Sequence, residues 1–207
     1  MDELNRFGIS FRKKIYFFLM CILIIPHLLA FYFSKEKVRI AIDARRWLGE
    51  KSGRIYLDIS YLLIFMPEFR NLFYLRIGKQ SFWLRYLPQL SSLYICVANK
   101  NFGEGTIIQH GFATVITAER IGKNCWINQQ VTIGYNDSRT QGYGRPIIGN
   151  NVRISAGAKV VGPITVGDNS IIGVNAVITK DVPPNSIVVP SPMRYICKNK
   201  IRVDEKF

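Results

Sequence analysis

Negative charge is scarce in this 207-residue chain, where 14 Asp+Glu stand against 28 Lys+Arg for a formal net charge of +14. Such a surface favours anionic partners: nucleic acid, anionic lipid or a phosphorylated small molecule. No zinc-finger spacing, helix-turn-helix pattern or basic-region heptad run is present, which sets nucleic acid aside. Cysteine is also sparse: Cys21, Cys96, Cys125 and Cys197 lie far apart, with no C-x-x-C and no neighbouring histidine. That spacing excludes a disulfide framework, gives no reason to expect a metal, and points to a reducing, cytosolic face. Only two histidines occur, His27 and His110. What the chain does have, 48% hydrophobic and 13% aromatic residues, excludes disorder and collagen and fits one or two modest domains.

Glycine is nearly missing from the first half and aromatics from the second. Residues 1–100 hold 19 of the 26 aromatics and 4 of the 16 glycines. Two differently built regions are therefore expected: 1–97, 98–189 and a tail at 190–207. The excess of positive charge is shared, with 16 basic and 7 acidic residues in the first hundred.

From Ile15 to Phe33 runs an uncharged stretch, IYFFLMCILIIPHLLAFYF, between Arg12-Lys13-Lys14 and Lys35-Glu36-Lys37. Its length just reaches across a bilayer as a helix, and it ends in bulky residues, unlike a cleaved signal peptide. Pro26 in its middle also fits a re-entrant hairpin or a buried core helix, because proline removes a helix hydrogen bond. Residues 54–97 interleave arginine and lysine with aromatics, a mixture suited to a membrane interface, although helical spacing over Phe69–Ile77 equally fits a helix packed on the second region. The expectation is a helical, membrane-associated first region on the inner face of the cell membrane.

The second half repeats. Every sixth residue from Ile148 is branched and apolar (Ile148, Ile154, Val160, Val166, Ile172, Ile178), and Val115, Ile121, Ile127 and Ile133 keep the same step upstream. Gly122, Gly134, Gly149, Gly167 and Gly173 follow directly after these positions, while Ala158, Ser170 and Ala176 stand four places after. Six is not a helical face period; it is the hexapeptide β-helix signature, with short strands burying one branched side chain each and glycines allowing tight corners. The segment 135–147, YNDSRTQGYGRPI, interrupts the count, and its Tyr135, Arg139, Tyr143 and Arg145 mark a functional loop.

The segments QHGFATVI, WINQQVTIG and PIIGNNVRISAGAKVVGPITVGDNSIIGVNAVITKDVPP, in that order, resemble the serine acetyltransferase branch of the left-handed β-helix acyltransferases. The likeness covers about residues 92–194. It implies a left-handed parallel β-helix, a homotrimer with active sites between subunits, acetyl-coenzyme A as acyl donor and a histidine as general base. It also implies cofactor contacts at Gly134, Ala156, Gly157, Lys159 and Lys180.

An alcohol attacking a thioester needs a base that titrates near neutrality, and histidine is the usual one. His27 lies in the apolar run, so His110, between Gln109 and Gly111, is the expected base. The family pattern has a carboxylate directly before this histidine, a second histidine in the loop and an upstream aspartate that orients the base; here those places hold Gln109, Arg145 and approximately Tyr94. Asn128, about one coil away, is the alternative orienting group. An amide in place of a carboxylate loses the natural partner of an ammonium group but suits sugar hydroxyls. Gln109 and Arg145 are thus expected on the acceptor. The residues point first to acetyl transfer onto a sugar hydroxyl in surface-polysaccharide biosynthesis, next to serine O-acetylation, and last to a silent trimeric scaffold.

Overall fold

The computed structural model describes residues 2–8, 10–138, 142–190, 194–198 and 201–206. Five α-helices come first: α1 (Phe11–Leu23), α2 (Ile25–Phe33), α3 (Lys37–Leu48), α4 (Ile55–Phe65) and α5 (Pro67–Ile77). The uncharged run is not one helix. It breaks at Ile24, and α2 restarts with Pro26 in its first turn, where a missing N–H costs nothing; the two axes meet at 59°. No single helix among the described residues is long and apolar enough to cross a membrane. α5 likewise opens on a proline and stops at Gly78, whose φ of 70° suits glycine.

The helices share a core built from Phe17, Ile24, Phe31, Ile59, Leu63 and Phe73 among others. His27 is fully buried in it. Its Nε2 lies 3.0 Å from the Tyr74 hydroxyl, which itself lies 2.7 Å from the Leu87 carbonyl. Burial lowers the His27 pKa from 6.5 to about 4, so this imidazole is neutral and structural. Because the folded value is depressed, the stability this neutral group supports is complete above pH 6.5 and is lost as the pH falls toward 4. Between pH 7 and pH 5 the unfolding free energy should fall by about 2 kcal/mol through His27, and urea melts of His27→Gln should lack that component.

From Leu93 onward the chain winds into three parallel sheets forming the faces of a prism. One face stacks Leu93–Ile95, Thr114–Ile116, Thr132–Gly134, Lys159–Val161 and Val177–Ile178. The second stacks Ile107–Ile108, Trp126–Ile127, Arg153–Ile154, Ile171–Ile172 and Ile187–Val188. The third stacks Arg120–Ile121, Ile147–Ile148 and Thr165–Val166. This is the left-handed hexapeptide β-helix. Its register pairs Arg153 with Ile171, Lys159 with Val177 and Ile147 with Thr165, eighteen residues apart each time. The helix starts at Leu93, ahead of the boundary expected at residue 98.

The hexad residues from Ile121 to Val166 form a core that excludes water. Upstream the count slips. Ile116 pairs with Ile133 and is buried, whereas Val115 is only half-buried, so the step from Ile116 on the first face to Ile121 on the third is one residue short. Ile147 is already back in the β-helix, and within the loop Asn136–Ser138 and Gly142–Gly144 pair as an antiparallel hairpin. Arg139 lies outside the described residues.

Of the glycines after the hexad residues, Gly122, Gly149, Gly167 and Gly173 serve close stacking, while Gly134 has open space beside it. A Cβ on Gly122 would collide with the carbonyl of Gly149, and one on Gly103 with that of Gly122. The corners are made instead by residues in left-handed conformation, mostly asparagine: Asn124, Asn151, Asn169, Asn175 and Asn185, all with φ between 56° and 59°. Asn151 Nδ2 donates to Asn169 Oδ1 at 3.0 Å, and Asn169 Nδ2 to Asn185 Oδ1 at 3.1 Å, extending the corner as a ladder.

The open end of a solenoid must be covered, and here the helical region covers it. Leu72 of α5 joins the β-helix core, and the Trp47 indole N–H donates to the Thr106 carbonyl at 2.9 Å. Arg76 on α5 and Asp43 on α3 form a buried ion pair at 2.9 Å. The Asp43 carboxylate also accepts from the Gly105 N–H at 2.6 Å, while Arg76 donates to Gly103 O at 2.8 Å and Asn99 Oδ1 at 2.9 Å. Both charges are thus hydrogen-bonded across the junction.

Candidate active site

His110 sits at the corner of the β-helix between Ile107–Ile108 and Thr114–Ile116. Its φ is 56°, and three residues on Ala113 has φ 51°. Two left-handed residues in one corner push the imidazole out of the prism, where it is exposed. It lines a cavity of about 540 Å³ together with Gln109, Trp126 and residues of the helical region, including Arg46, Trp47 and Glu68. Glu68, at the start of α5, lies against Gly111: a Cβ there would stand 3.4 Å from the Glu68 Cγ. An imidazole therefore shares one cavity with a carboxylate and a guanidinium.

The residues expected on the acceptor separate. The Gln109 side-chain oxygen accepts from Trp126 Nε1 at 3.1 Å and from Asn128 Nδ2 at 3.3 Å. The acceptor half of this amide is already used, which removes the donor-and-acceptor match to sugar hydroxyls. Arg145 is exposed beside the hairpin, on another edge of the prism, and does not line this cavity. Tyr94 lines a separate cavity with Asn71 and Cys96.

Asn128 does not stack on His110. The strands pair Ile108 with Ile127, and Asn128 lies beside Gln109, whose side-chain oxygen its amide reaches; in the longer corner that follows, it is the Phe112 carbonyl that accepts from the Gln130 N–H of the next coil. The Gln129 Oε1 is buried and has no hydrogen-bond partner among the described residues.

The five positions carried over as coenzyme contacts fall into two groups. Ala156 and Gly157 lie on the same edge as His110, between Arg153–Ile154 and Lys159–Val161. Gly157 has a φ of 72° and stands against Asn175, so the corner alone accounts for a glycine there. Gly134 and Lys180 lie on the neighbouring edge with the hairpin and Arg145. Lys159 lies between, and its ammonium donates to Gln130 O at 2.7 Å and Thr132 Oγ1 at 3.2 Å. In one chain, then, His110 and the basic loop edge are a face apart.

Sequence reasoning missed Arg46, Trp47, Glu68 and Trp126. No local pattern marks them, since helices far upstream in the chain bring the first three to the cavity.

Residues 145–180 match the family model described as bacterial transferase hexapeptide (six repeats). A serine acetyltransferase of Synechococcus elongatus is 40% identical over 124 residues, covering 58% of this chain and 50% of the relative. One from Helicobacter pylori is 40% identical over 99 residues, covering 47% and 57%. Among solved structures, Neisseria gonorrhoeae serine acetyltransferase in complex with serine superposes with a TM-score of 0.58 at 25% identity, over 75% of this chain and 67% of that one. This β-helix is serine acetyltransferase-like.

The chain spans about half the length of the curated relatives it matches. Relatives and structural neighbours alike bear the serine acetyltransferase name, which overturns the expectation of a sugar hydroxyl as acceptor. That expectation rested on Gln109 taken singly. In the folded site the amide is tied to Trp126 and Asn128, and a carboxylate enters the cavity from α5 instead.

Proposed function

We propose that this protein is an acetyl-coenzyme-A-dependent serine O-acetyltransferase that works as a homotrimer. The observation that carries this reading is the cavity in which His110 meets one acid and one guanidinium. A zwitterionic amino acid needs both, with Glu68 for its ammonium and Arg46 for its carboxylate. His110 accepts the proton of the serine hydroxyl as its oxygen attacks the thioester carbonyl. The carbon–sulfur bond then breaks, and the departing coenzyme A sulfur takes that proton from the imidazolium.

The division of Gly134, Arg145 and Lys180 from His110 over two edges supports a trimer. When a neighbouring copy brings its loop edge to the His110 edge, both groups serve one site. The basic residues would then meet the coenzyme phosphates, and the small residues Ala156 and Gly157 leave room for its narrow arm.

The test is release of free thiol from acetyl-coenzyme A by the purified full chain. Turnover is expected with L-serine and not with L-alanine, which has no hydroxyl; absence of serine-dependent release overturns the reading. Glu68→Gln should raise KM for serine by about 10- to 100-fold, the worth of a charge-assisted contact, with KM for acetyl-coenzyme A little changed.

A further inference from the structure

The first two helices present the wrong face to water. Along their inner side Phe17, Ile24, His27 and Phe31 are buried against the other helices; Phe17 stacks over Phe65 and Phe31 meets Tyr56 edge-on. The outer side of an exposed helix should be polar. Here it carries eleven exposed large apolar residues, with Leu19 at 67%, Ile22 at 71% and Phe33 at 77% of full exposure. Trp83, 78% exposed, and Tyr86, whose hydroxyl donates to the Leu23 carbonyl at 2.6 Å, extend this surface near the break between the helices. A contiguous patch of this extent marks an interaction site.

We propose that α1 and α2 lie flat on an anionic lipid surface and hold the protein there without crossing it. Charge chooses this occupant. Arg12 and Lys13 stand exposed at the start of α1, and Lys35 and Lys37 just beyond the end of α2, while the neighbouring Glu36 is paired with Arg39 at 2.8 Å. The patch is therefore apolar in the middle and basic at both ends, with aromatic residues on it, the composition of an interfacial anchor. A second copy fits poorly, because a two-fold contact would set these like-charged ends against each other. Crossing the bilayer would require pulling Phe17, Ile24, His27 and Phe31 out of the helical core, whereas lying on its surface leaves every buried contact in place. The inference is independent of the acetyl-transfer reading, and its test does not use activity.

The full chain, freed of detergent, is floated with vesicles of phosphatidylcholine alone or mixed with phosphatidylglycerol, at low and high salt. Flotation with the anionic vesicles, at least about tenfold above the neutral ones at low salt, is expected. Leu19→Glu with Ile22→Glu should lower the bound fraction about tenfold while thermal melting is unchanged, since both side chains lie outside the core. Arg12→Glu with Lys13→Glu should remove the preference for anionic vesicles. Equal flotation by the Leu19→Glu, Ile22→Glu variant overturns the proposal. So does absence of flotation by the native chain, including the case in which it self-associates through this face and that variant does not.

Discussion

Replacing His110 with alanine is expected to lower kcat for serine acetylation by about 10²- to 10⁴-fold, the range for loss of a general base. The fold should survive. His110 is exposed at a corner and belongs to neither core, in contrast to the buried His27. The left-handed backbone adds one complication, since alanine is less at ease than histidine at a φ of 56°. His110→Asn separates the two effects, because asparagine already occupies most such corners in this chain and cannot act as a base. Both variants should show unchanged melting, unchanged KM values and a collapsed rate. A kcat within about twofold of the native enzyme in both would remove His110 from the chemistry.

The second large effect concerns stability. Arg76→Met leaves the Asp43 carboxylate buried beside the β-helix without its ion-pair partner, which typically costs about 3–5 kcal/mol. For a chain of this length the midpoint of thermal unfolding should fall by roughly 10 °C. Removing both charges together, as Asp43→Leu with Arg76→Met, should restore much of the loss, since a buried pair contributes less in net stability than breaking it costs. The single variant should also raise KM for serine, because α5 carries Glu68 as well as Arg76. If the double variant is no more stable than the single one, the hydrogen bonds to Gly103, Gly105 and Asn99 rather than the ion pair hold the junction.

How far the fold could be read from residues depends on the element. The β-helix is legible because each coil repeats the same physical demand: a branched apolar residue every six positions, small side chains where backbones approach. Where coil length changes, the pattern misleads, as at Val115, because one residue fewer between Ile116 and Ile121 shifts the side chains upstream of it against the count. The turning positions are held mostly by asparagines rather than by the conspicuous glycines beside the hexad residues, most of which let coils stack. The aromatic half gave a mixed signal because Phe17 and Phe18 look alike in a sequence, yet one is buried and the other faces outward.

The site was legible only in part. His110 stands out as the sole histidine outside the apolar run, with a flexible neighbour in Gly111. Its surroundings do not, since Glu68 and Arg46 reach it from helices whose approach is set by tertiary contacts such as Trp47 to Thr106 and Arg76 to Asp43. Reading Gln109 without Trp126 and Asn128 led to the wrong acceptor. A side chain's chemistry depends on which of its hydrogen-bonding atoms are already engaged.

By itself the sequence determined the repeat, the division into an aromatic half and a glycine-rich half, the positive charge and the one histidine suited to act as a base, because these follow from residue type and periodicity along the chain. Only the tertiary structure decided that the long apolar run bends at Ile24 and packs on one side, that His110 shares its cavity with a carboxylate and a guanidinium, and that Asn128 is tied to Gln109. Those facts depend on which distant segments meet and at what register, and no local pattern encodes a register between segments.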